Sequence, residues 1–141
     1  MSANESKLTG LQREAKRQKQ AVLENGKYAP IPHRIYREVL PELKEKYDGQ
    51  TARDCLTLYM YCHAYVNGLS DTAEYYWAYP TVKKIIEDTG LHKDRIKGLF
   101  DVLETEGLMI TRKVPRNGHA KKMYMPLYES KETSQNPASG I

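Results

Sequence analysis

Two helical periodicities meet across a short turn late in the chain, and that junction restricts the fold more than any other feature. Thr81 is suited to cap a helix whose apolar positions are Val82, Ile85 and Ile86, and Gly90 is its natural C-terminal residue. After Leu91 a second helix is expected from about His92 to Glu106. Its buried stripe is Ile96, Leu99, Phe100 and Leu103, at three- and four-residue spacing, and Gly107 ends it.

A hairpin is expected next. Leu108 to Val114 reads as a strand, Pro115-Arg116-Asn117-Gly118 as a turn, since Asn-Gly tolerates positive φ. Lys121 to Tyr128 returns, with Met123 and Met125 alternating against Lys122 and Tyr124. Charge singles this segment out. The net charge of +4 over 141 residues is a weak signal of polyanionic partners. From Gly107 to Tyr128, however, there is no acidic residue, while Arg112, Lys113, Arg116, Lys121 and Lys122 all fall there. A one-signed stretch in a mixed chain is an electrostatic footprint.

Upstream, Ala29-Pro30-Ile31-Pro32 is expected to be extended. A helix from His33 to about Tyr47 follows, broken or kinked by Pro41 and ended by Asp48-Gly49. Thr51 reads as the next N-cap, with Asp54 as the capping-box acid. Ala52, Cys55, Leu56, Tyr59, Cys62, His63 and Val66 form a core-facing stripe that stops at Asn67-Gly68. Tyr75 to Ala78 suits a small strand. The fold class is therefore mainly α with a small β-hairpin, an α+β chain. Its organisation is a basic, partly helical arm over 1–27, a folded domain over 28–128, and a Ser-, Pro- and Asn-rich tail over 129–141 that is expected to be disordered. The arm is open to three readings: a solvated helix, a dimer contact, or a segment that orders on nucleic acid.

Three stretches carry a resemblance: Trp77-Ala78-Tyr79-Pro80-Thr81, then Ile85-Ile86-Glu87-Asp88-Thr89-Gly90-Leu91, then Leu103-Glu104-Thr105-Glu106-Gly107-Leu108-Met109-Ile110. Over roughly 51–128 the chain resembles the winged helix-turn-helix domains of bacterial transcription regulators and of plasmid and phage replication proteins. The resemblance implies sequence-specific binding to double-stranded DNA, serving transcription regulation or the replication and maintenance of a plasmid or phage. It also implies a homodimer. In that reading the second helix enters the major groove and the hairpin reaches phosphates or the minor groove. Arg95 is the leading base reader, with Lys93 and Lys97 on phosphates and Asp94 as an acceptor for cytosine; Thr81 joins the interface at the start of the preceding helix. In the wing, Arg112, Lys113, Lys121 and Lys122 neutralise phosphates, Asn117 and His119 stand at the tip, and Arg116 is the candidate for a narrow minor groove. Two positions depart from the pattern. His92 stands where the family carries a Ser or Thr cap, and Gly98 lies inside the recognition helix, at a cost of about 1 kcal/mol relative to Ala.

Other chemistries find little support. Cys55 and Cys62 are read as buried structural thiols, since seven residues of helix separate them by about 10 Å, beyond disulfide reach. The four histidines lack ligand spacing, and no phosphate-binding glycine loop or nucleophile motif occurs. The expectation is a cytoplasmic protein that is not an enzyme, with no metal, cofactor, small-molecule substrate or membrane partner. The competing class is a winged helix that binds protein instead of DNA; the acid-free wing argues against it.

Overall fold

The structure is a computed structural model that describes residues 3–68, 71–116 and 119–128. It divides into a first unit ending at Pro30 and a second beginning at Ile31. The first unit is one helix, α1 (Ala3–Asn25). Leu11, Val22 and Leu23 on it are exposed, Arg17 pairs with Glu14, and Gly26 closes it at φ 73° by donating its N–H to the Val22 carbonyl.

The second unit begins with a π-helical turn, Ile35–Val39, that runs directly into α2 (Leu40–Lys46). Pro41 explains the wide turn. It has no N–H to give to the preceding turn and its ring crowds the carbonyl four residues back. The backbone relaxes into five-residue spacing there, with Leu40 N–H donating to the Ile35 carbonyl. The break expected at Pro41 takes this form.

The central helix, α3 (Gly49–Ala64), starts earlier than expected. Asp48, in an extended conformation, is the N-cap, and its Oδ1 accepts the Thr51 N–H at 2.6 Å. Thr51 is therefore inside the helix, and Asp48-Gly49 opens α3 instead of closing α2. The helix also ends earlier, at Ala64, with Tyr65 N–H on the Cys62 carbonyl. Its stripe of Ala52, Cys55, Leu56, Tyr59, Cys62 and His63 is buried, and Leu58 joins it. Val66, beyond the helix, packs half-buried on the same core.

No strand forms at Tyr75–Ala78. Residues 71–76 are turns, and only Ala78 is sheet-like, exchanging both backbone hydrogen bonds with Tyr124 at 2.7 Å. Pairing cannot extend in either direction: Tyr76 has a φ of 71°, and Pro80 has no donor.

Helix α4 (Val82–Thr89) is capped by Thr81, whose Oγ1 accepts the Lys84 N–H at 3.1 Å. Gly90 ends it in the left-handed region, at φ 76°. Helix α5 (Lys93–Thr105) follows, and Gly107 (φ 76°) turns the chain into the hairpin, with Leu108 N–H on the Leu103 carbonyl at 2.8 Å. Strands β1 (Met109–Arg116) and β2 (His119–Pro126) pair antiparallel, Met109 opposite Pro126 and Arg116 opposite His119. Both strands reach further toward the tip than expected, taking in Pro115 and Arg116, and β2 ends at Pro126. The anticipated Asn117-Gly118 turn and the 129–141 tail lie outside the described residues.

One core joins these parts. Ile35, Val39 and Leu43 pack with the α3 stripe, with Ile85, Leu91, Ile96, Leu99, Phe100 and Leu103 of the helix pair, and with Leu108, Met109 and Tyr124. Tyr124 overturns the expected alternation of β2. It is 2% exposed and stacks on Phe100, while Met123, on the opposite face of the strand, is buried too. The hairpin base thus buries side chains on both faces.

Candidate nucleic-acid interface

Helix α5 presents its N-terminal half to solvent because its apolar residues all face α3, α4 and the hairpin. Lys93, Asp94, Lys97, Gly98 and Asp101 are exposed. His92, at the N-cap, accepts the Asp94 N–H on its imidazole Nδ1 at 3.1 Å, doing the work of a Ser or Thr. Lys97 reaches Asp101 at 3.2 Å, an exposed pair whose strength water limits. Gly98 has a helical backbone, and a Cβ there would meet nothing within 4 Å. Its lack of a side chain serves no packing purpose inside the chain.

Arg95 is not where the stripe placed it. Its guanidinium turns back onto α3, with Nη2 3.3 Å from Asp54 Oδ2 and 3.4 Å from Thr51 Oγ1. Asp54 was read as a capping acid; it is the anchor of this contact. Burial of the opposite stripe leaves a helix residue at the edge of the interface free to turn either way, and an acid on the facing helix decided the direction.

The hairpin cations divide into two groups. Lys113 and Lys122 are exposed and directly opposite in register. Opposed residues hold their Cβ atoms about 5 Å apart, and like charges there repel. Among the described residues no ion pair includes either ammonium. They share a face with Thr111 and Tyr124, the face that packs on Phe100 of α5. On the other face Lys121, expected on phosphate, is mostly buried: its ammonium pairs with Glu74 and sits 3.7 Å from the centre of the Tyr79 ring. Arg112 is exposed and lies over Trp77, 5.0 Å from the ring centre. Arg116 and His119 close the described ladder, but their side chains, like Asn117 as a whole, lie outside the described residues. Thr81 is exposed, its hydroxyl committed to the α4 cap.

Glu74, Trp77 and Tyr79 complete this face without being legible as site residues in the sequence, although Trp77 and Tyr79 belong to the run that ends at Pro80 and Thr81. An acid-free segment facing an acid brought in by a distant loop leaves no local trace in the sequence.

Nothing else in the described residues assembles a reactive centre. Cys55 and Cys62 are free thiols, and burial pushes each up to about 12, which keeps them protonated and unreactive. No group of three His, Cys, Asp or Glu residues able to hold a metal comes together among the described residues. A shallow depression of about 210 Å³ is lined by Ile31, Pro32, His33, Tyr36, Arg37 and Met60, smaller than the few hundred Å³ usual for a small-molecule site. Among the described residues no helix is long and apolar enough to cross a membrane. No family model, curated protein or solved structure matches this chain.

Proposed function

We propose that the second unit is a winged helix-turn-helix that binds double-stranded DNA sequence-specifically and without catalysis. In this reading α4 and α5 are the helix-turn-helix and the β1–β2 hairpin is the wing. The order of elements fits, as do the left-handed Gly90 between the helices and the stacking of the wing base on α5.

The observation that carries the proposal is the opposed pair Lys113–Lys122. Two unneutralised ammonium groups side by side cost stability, and an anion placed between them removes the cost. A phosphate backbone lying along the wing supplies such anions. The exposed first turns of α5 then contribute Lys93, Asp94 and Lys97 to the groove. Arg95, held by Asp54, acts as a positioning residue that sets the angle of α5 on α3. Transcription regulation and replication or maintenance of a plasmid or phage would both use such a module, and binding as a homodimer remains part of the reading.

The test is selection of bound duplexes from a random pool by the full chain. A consensus is expected, with degraded selection at some base pairs for Lys97→Ala or Asp94→Ala, and a symmetric consensus would accord with a dimer. Recovery of no sequence above background would reject sequence-specific binding.

A further inference from the structure

The wing's second face has a chemistry of its own. Ile110, Arg112 and Val114 of β1 lie on it, with Met123 and Lys121 of β2. The Ala78–Tyr124 bridge adds Trp77 and Tyr79, because the neighbours of a bridged residue point to the opposite side from it. Trp77 is buried under Arg112, and Ile110 and Tyr79 are about half exposed. Lys121 covers part of the Tyr79 ring, held there by Glu74. The loop leading in carries a further exposed ring, Tyr76, stacked on Tyr75 with centroids 3.9 Å apart.

Tyr76 shows how the chain enters this face. Its φ of 71° lies in the left-handed region, an outlier for a bulky residue. The conformation is enforced by Tyr76 N–H on the Asn67 carbonyl at 2.9 Å and Trp77 N–H on the Glu74 carbonyl at 2.9 Å. It lets Trp77 turn inward while the Tyr76 ring stays 56% exposed. The strain thus serves the fold, since it brings Trp77 into the core beneath Arg112.

We infer that this face, centred on Tyr79 with Arg112, is a binding site for the unpaired bases of a single-stranded nucleic acid. An exposed ring backed by a cation accepts a base on its open side, and stacking of this kind tolerates any sequence. Arg112, with no acid on its own strand, suits the accompanying phosphates or a second base. Charge favours nucleic acid over a protein partner, because neither strand under the face carries an acid and, with Glu74 offsetting Lys121, the exposed Arg112 is left as the cation of the face. The site lies on the face opposite Lys113 and Lys122, so it does not rest on the duplex-binding proposal.

The experiment is fluorescence anisotropy of a labelled oligothymidylate of roughly twelve nucleotides, titrated with the full chain at low salt. Wild type is expected to bind. Tyr79→Leu, which keeps apolar bulk without a π face, is expected to weaken binding about 5- to 100-fold, and Tyr79→Phe to retain it. The oligothymidylate affinity of a Lys113→Gln/Lys122→Gln chain should fall far less than that of Tyr79→Leu. The inference is overturned if wild type does not bind the oligothymidylate, or if Tyr79→Leu binds it as wild type does. It is equally overturned if Tyr79→Leu loses duplex and oligothymidylate binding by the same factor, since the ring would then belong to the general fold or to the duplex surface.

Discussion

Phe100 of α5 and Tyr124 of β2 lie face to face, ring centres 4.0 Å apart and planes within 6° of parallel. This contact fixes the hairpin to the helix beside it, because Tyr124 also exchanges both backbone hydrogen bonds with Ala78. Both rings are buried. Phe100→Ala should therefore cost about 3–5 kcal/mol in urea unfolding, through lost burial and a cavity. A cost below about 1 kcal/mol would mean that the stack is not maintained in solution.

Arg95 and Asp54 make the second prediction. If the guanidinium positions α5, Arg95→Met should lower stability by about 1 kcal/mol, and Asp54→Asn should add little to it in a double-mutant cycle. Affinity for all duplexes should fall together. Loss of discrimination at one base pair alone, with stability unchanged, would return Arg95 to the role of a base reader.

Gly98 separates stability from binding. With open space around its absent Cβ, Gly98→Ala should stabilise the helix by about 1 kcal/mol. If α5 lies close against a groove wall, the same variant should bind duplex more weakly. A chain that is more stable and binds equally well would show that the bare backbone serves no contact.

His63 sets a pH dependence. It is buried between Tyr59 and Tyr128, its Nε2 has no partner among the described residues, and burial lowers it from the ordinary 6.5 to about 4. Unfolding lets the imidazole protonate, so this part of the stability is complete above pH 6.5 and is lost as pH falls toward 4. Between pH 7 and 5 the loss should be about 2 kcal/mol in urea unfolding. The carboxyls of Asp48 and Asp88, held below their ordinary 3.8 by hydrogen bonds from Thr51 and from Tyr61 and Lys84, act only at lower pH. His63→Phe should flatten the profile; an unchanged slope would assign it to other groups.

What the sequence made legible was local. The helix junction could be read because Thr81 and Gly90 act through their own backbones, and the α3 stripe because apolar spacing is set by one helix. The start of α3 was misplaced because Asp48 and Thr51 are both good caps, and the choice depends on how the chain leaves α2. Tyr75–Ala78 has strand-like composition, but Pro80 and the left-handed Tyr76 leave room for a single bridge. In the candidate site the exposed Lys113–Lys122 pair follows once strand register is known. The partners of Arg95 and Lys121, Asp54 and Glu74, are more than 40 residues distant in sequence, and no local pattern announces them.

The proposed contact of the hairpin with duplex phosphates runs through Lys113 and Lys122. It is tested most directly by duplex binding across a salt series for wild type and for Lys113→Gln/Lys122→Gln. The double variant is expected to bind more weakly, and the slope of log K against log salt to become shallower by about 2, one unit for each lost phosphate contact. Identical slopes and affinities for the two chains, or no duplex binding by wild type at low salt, would contradict it.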